Sequence, residues 1–91
     1  MKYTLEEMDK LYKVGTEIFC TGYPYFSPCI GKITSVIITS WNRLYTMDWE
    51  SGQRPHSGET HESLQADEMI RIVDEKHRLT IMLKYMSEET K

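Results

Sequence analysis

The sequence predicts a mainly β fold, about five short strands closed around one core with a helix at each end. Three observations carry this. A chain of 91 residues has room for one hydrophobic core and no second. Apolar and polar residues alternate in several short runs, the period of a half-buried strand. Turn-forming Gly, Pro, Asn and Ser separate those runs at close intervals, the spacing of a barrel or sandwich. The expected organisation is a single domain over residues 1–91, with an N-terminal helix at 4–12, the β region at 14–73 and a C-terminal helix at 75–86.

Each element has its own local reason. Thr4 followed by Glu7 forms the S/T-x-x-E capping box that opens a helix. Leu5, Met8, Leu11 and Tyr12 then share one helical face, and Gly15 turns the chain towards a strand. Residues 16–23 are the first strand, with Ile18 and Cys20 on one face and Phe19 and Thr21 on the other. The segment Gly22-Tyr23-Pro24-Tyr25-Phe26-Ser27-Pro28 is a loop, because its two prolines fix φ and remove backbone donors. Residues 29–39 form a longer strand in which Gly31 permits a bend or bulge. A turn at Ser40-Trp41-Asn42-Arg43 leads into residues 44–50, where Tyr45, Met47 and Trp49 alternate with Thr46, Asp48 and Glu50, so these two strands pair as an antiparallel hairpin.

Residues 53–61 are polar and include Pro55 and Gly58, which predicts a surface loop. Residues 62–68 fit a brief strand followed by a tight or 3₁₀ turn, and 69–73 a last strand. Asp74 caps a helix in which Leu79, Met82, Leu83 and Met86 share a face. Leu79, Ile81, Leu83 and Tyr85 also alternate as a strand would, so the periodicity of this segment is ambiguous.

The runs Val14-Gly15-Thr16-Glu17-Ile18-Phe19, Gly31-Lys32-Ile33-Thr34-Ser35-Val36, residues 44–52 and residues 64–72 follow one another in an order that resembles the SH3-like, Tudor-like and KOW-like small barrels. The resemblance covers residues 14–73 and is a pattern rather than a signature. It implies an SH3-like barrel and a partner surface between the first long loop and the tip of the later hairpin. By that analogy Tyr23, Tyr25, Phe26 and Trp49 are the contact positions.

Composition narrows the function. A formal net charge of -3 supplies no basic face of the kind that draws nucleic acid. No leader-like stretch and no run of apolar residues long enough to cross a membrane is present, which points to a cytoplasmic protein whose Cys20 and Cys29 are reduced thiols.

Four site readings follow from the residues. The aromatics Tyr23, Tyr25 and Phe26, with Trp49, Glu50 and Glu59, offer a protein-contact surface, or a cage that holds a cation by ring quadrupoles and a carboxylate. The plainer alternative is that the loop folds back over the barrel mouth. Cys20, Cys29, His56 and His61 are zinc-compatible residue types, but the two cysteines are spaced more widely than in structural zinc sites, and a buried thiol is the simpler account of Cys20. His56, Ser57, Glu59, His61 and Glu62 lie in one segment, yet a surface loop gives poor support for catalytic geometry, and no catalytic or phosphate-binding motif occurs. Trp41 in the hairpin turn packs on the C-terminal helix or meets a partner.

The expectation is a non-catalytic protein-interaction module with no cofactor, a small regulator or inhibitor of the kind a phage or mobile element encodes. A homodimer through the C-terminal helix, where Ile81 and Tyr85 widen the apolar surface, is a second use. The alternatives are a single-strand nucleic-acid binder that stacks bases on the aromatics and draws on Lys13, Lys32, Arg43 and Arg54, and a zinc-binding module or enzyme.

Overall fold

A computed structural model describes residues 3–21, 28–50 and 58–85. The order of elements is helix α1 (Leu5–Leu11), strands β1 (Glu17–Cys20), β2 (Cys29–Ile38), β3 (Arg43–Trp49) and β4 (Gly58–Thr60), a 3₁₀ turn (Ser63–Gln65), strand β5 (Met69–Arg71) and helix α2 (Glu75–Tyr85). The five strands are antiparallel and form one sheet in the order β4-β3-β2-β1-β5, curled into a half-barrel.

Local chemistry starts α1 where the capping box requires. Glu7 N–H donates to Thr4 Oγ1 at 3.2 Å, and Thr4 N–H donates to Glu7 Oε1 at 2.9 Å. Met8 and Tyr12 are buried against the concave face of the sheet. Gly15, at φ 97°, then reverses the chain in a conformation that a Cβ would strain, and its N–H reaches Ile33 O at 2.8 Å.

The sheet is covered on both sides at β1. Ile18 and Cys20 join an inner cluster with Met8, Ile33, Tyr45 and Leu64. Phe19, one residue out of phase, faces the other way and packs with Ile30, Ile72 and Ile81 under α2. A fully buried side chain of this size contributes roughly 1.5–3 kcal/mol, so β1 anchors both layers.

Strand β2 changes character halfway. The pairing of Gly31, Lys32 and Ile33 with Trp49, Asp48 and Met47 slips by one residue before Ser35 pairs with Thr46. The bulge therefore lies at Thr34, whose Oγ1 donates to Thr46 O at 3.2 Å, and not at Gly31 as expected. Gly31 has a different role. A Cβ there would sit 2.5 Å from Trp49 Cε3, so the glycine admits the indole ring.

Three further expectations are corrected. Residues 58–60, read as surface loop, are strand β4, with Tyr45 opposite Glu59. Residues 62–68 hold the 3₁₀ turn and no strand. In α2 the buried residue is Ile81, flanked by half-buried Met82 and Tyr85, while Leu79 and Leu83 are exposed. Two contacts turn the helix this way: Phe19 meets the Tyr85 ring at 5.4 Å, and Arg78 reaches Glu17 at 3.9 Å. Met86 lies outside the described residues. Among those residues no helix is long and apolar enough to cross a membrane.

Candidate functional site

Of the residues expected to form one aromatic surface, the structure describes Trp49, Glu50 and Glu59, and these three present no common exposed face. Trp49 is 8% exposed and belongs to the inner core, stacked over Gly31. Glu59 is 5% exposed on the same inner side, and its Oε1 accepts a hydrogen bond from Ser63 Oγ at 2.8 Å. Glu50 is exposed, as strand alternation places it opposite Trp49. Trp49 and Glu59 are therefore structural, because the concave face takes every second residue of β3 and β4. Tyr23, Tyr25 and Phe26 lie outside the described residues.

The zinc-compatible residues that the structure describes do not gather, and of the catalytic set it describes Glu59, His61 and Glu62. Cys20 and Cys29 sit opposite one another in the β1–β2 ladder, both buried. His61 lies at the far end of β2, beside Arg43, where its Nδ1 bonds Asn42 Oδ1 at 2.8 Å. His56 and Ser57 are outside the described residues, among which no three His, Cys, Asp or Glu side chains gather in a metal-binding group. Glu62 is exposed, 3.8 Å from His61 Nε2.

The proposed phosphate contacts fare similarly. Lys13 and Lys32 are exposed, and Arg54 is outside the described residues. Arg43 is buried. Its Nε and Nη2 grip Asp9 Oδ1 and Oδ2 at 2.6 and 2.9 Å, and Nη1 donates to Thr39 O and Asn42 O, both at 2.8 Å. A guanidinium whose donors are engaged in this way is a clamp between α1 and the hairpin, not a surface cation. The Arg43 hydrogen bonds hold the Asp9 carboxyl below its ordinary value of 3.8.

A chain of rings continues from this clamp. Tyr45 and Tyr12 lie 6.4 Å apart, as do Tyr12 and Tyr3, with the Arg71 guanidinium 5.7 Å from the centre of the Tyr12 ring. Burial is the main cause that pushes the Tyr45 phenol up to about 12. No hydrogen-bond partner meets its hydroxyl among the described residues.

Above the clamp, the tip of the β2–β3 hairpin is apolar and bare. Trp41 is 77% exposed, Ile38 60% and Ile37 56%, with Leu44 opposite Ile37 in the ladder and also exposed. Trp41 thus projects from the turn instead of packing on α2, which covers the other end of the sheet at Phe19. The turn itself is firm: Thr39 N–H donates to Asn42 O at 3.1 Å, and Arg43 N–H donates to Asn42 Oδ1 at 2.8 Å.

Reading residues 29–39 only as a longer strand hid this surface. The adjacent pair Ile37-Ile38 held the signal, because two consecutive strand residues face opposite sides and both need cover. Comparison of the chain with protein-family models, with curated proteins and with solved structures found no match.

Proposed function

We propose that this chain is a non-catalytic protein-interaction module that docks a partner on the tip of its β2–β3 hairpin. The observation that carries the reading is the exposure of Trp41 in the turn, of Ile37 and Leu44 paired on one face beside it and of Ile38 on the other, at a hairpin tip braced by the Arg43–Asp9 clamp. Large apolar side chains held rigidly in water lose little conformational freedom when a partner covers them, and Trp is prominent among residues that dominate interface energies. Within this proposal the half-barrel is of the SH3-like kind. A four-strand meander, a fifth strand returning beside the first and a 3₁₀ turn between the last two strands support that assignment.

The test compares native protein with an Ile37→Ser, Trp41→Ser double variant of matched Tm in affinity capture from host lysate. A protein retained by the native form and lost by the variant supports the reading. The same partners on both forms would remove it. A second contact is proposed for α2, where Leu79 and Leu83 stand one turn apart and exposed. In sedimentation equilibrium a dimer of native protein that becomes a monomer in Leu79→Gln, Leu83→Gln supports it, and a native monomer overturns it.

A further inference from the structure

The outer edge of β5 opens onto a cleft of about 300 Å³. Hydrogen bonds along an antiparallel ladder alternate, so every second residue of an edge strand turns both backbone groups away from its neighbour. Here Thr21 N–H donates to Glu68 O at 2.9 Å, and Ile72 N–H donates to Glu17 O at 3.0 Å. Ile70, between them and opposite Phe19, is therefore the residue that faces β1. Met69 and Arg71 turn outwards. Met69 N–H is taken by Ala66 O at 3.0 Å, which leaves Met69 C=O and the N–H and C=O of Arg71 as ladder groups towards the cleft.

The opposite wall is Tyr3 and Tyr12. It is tied in place, since Tyr3 N–H donates to Gln65 Oε1 at 2.7 Å. Arg71 lies over the Tyr12 ring, and no carboxylate among the described residues forms an ion pair with it. Asp67 also lines the cleft, four residues before Arg71.

From these features we propose that the β5 edge binds an extended peptide as an added strand, with an acidic side chain of that peptide seated on Arg71. The unpaired backbone groups select another polypeptide backbone, the tyrosine wall accepts an apolar side chain, and the guanidinium fixes the register through a carboxylate. This edge is a different surface from the hairpin tip, so the two readings fail independently.

The experiment is selection of a random octapeptide display library on immobilised full-length protein. Enriched peptides are then synthesised and titrated into ¹⁵N-labelled protein. The expected result is enrichment of Asp or Glu within β-prone sequences, with the largest amide shifts at residues 69–71. Arg71→Gln should weaken binding about tenfold or more, with partial recovery in Arg71→Lys, while Trp41→Ser leaves it unchanged. Proline placed at alternate peptide positions should abolish binding where it removes a ladder donor, a readout that stands even where Arg71→Gln fails to fold. The proposal is overturned by the absence of enriched peptides, by shifts centred on the hairpin tip, by indifference to both the arginine and proline changes, or by self-association through β4 that already occupies the β5 edge.

Discussion

The two tryptophans of this chain stand on one hairpin and have opposite fates. At its base, Trp49 lies over Gly31 in the inner core, and at its tip Trp41 stands in water. The difference lies in what each end of β2 and β3 has to pack against. The base is roofed by α1 on the concave side and by the edge of the α2 layer on the other, whereas at the tip Trp41 stands clear of both helices and the turn is braced by the Arg43–Asp9 clamp and the hydrogen bonds around Asn42. Rigidity at the base comes from packing, and at the tip from a charge-assisted hydrogen-bond network.

Substitution at the base should show the largest effect. Trp49→Ala empties a core position and should cost about 3–5 kcal/mol in urea unfolding; a loss below about 1 kcal/mol would mean that the base is not packed as described. Gly31→Ala should cost about 1–3 kcal/mol, because the new methyl meets the indole ring rather than a side-chain end that can swing away. If its stability equals that of native protein, the close approach of Gly31 to Trp49 is wrong.

The clamp at the tip is open to titration. Since the Asp9 carboxyl is depressed by Arg43, its contribution is present above the ordinary value of 3.8 and is lost as pH falls through the depressed value. Melting curves from pH 7 to pH 2 should fall more steeply for native protein than for Asp9→Asn, which starts lower and changes less. Parallel curves would mean that the clamp does not hold the tip.

Tyr45, directly behind the clamp, titrates at the other extreme. Its raised pKa means a contribution present below pH 10.0 and lost as pH rises towards about 12. Tyr45→Phe should shift stability at pH 7 by no more than about 1 kcal/mol in either direction, since it removes a buried hydroxyl without a partner among the described residues. It should also delete one phenolate step from the absorbance titration at 295 nm. A larger loss at neutral pH would reveal a hydrogen bond to that hydroxyl.

The smallest effect on stability should be at Trp41. Trp41→Ser should stay within about 0.5 kcal/mol of native protein. It should also remove the iodide-quenchable share of the fluorescence and leave the shielded emission of Trp49. Unquenched emission from native protein would place Trp41 under cover and break the comparison.

Much of the fold was legible because the signals were local. The capping box of α1 spans four residues and needs no distant partner to act. The alternation of Tyr45, Met47 and Trp49 identified β3 and its inward face. The candidate site was far less legible. Arg43 looked like a surface cation because its partner Asp9 lies 34 residues away. Strand β4 has no apolar alternation, and it faces inward with Glu59, whose carboxylate is met by a serine beyond the strand end. In α2, helical spacing pointed to the face of Leu79, Met82 and Leu83, whereas the sheet covers Ile81.

By itself, the sequence determined where α1 begins, that the β2–β3 hairpin forms and where it must turn, and which residues of β3 point together, since these depend on capping, side-chain period and φ restrictions within a few residues. Only the tertiary structure decided which apolar side chains are covered. Cover depends on what lies across the sheet: Met8 and Leu64 close over one face, Ile81 and Tyr85 over the other, and neither layer reaches as far as Trp41.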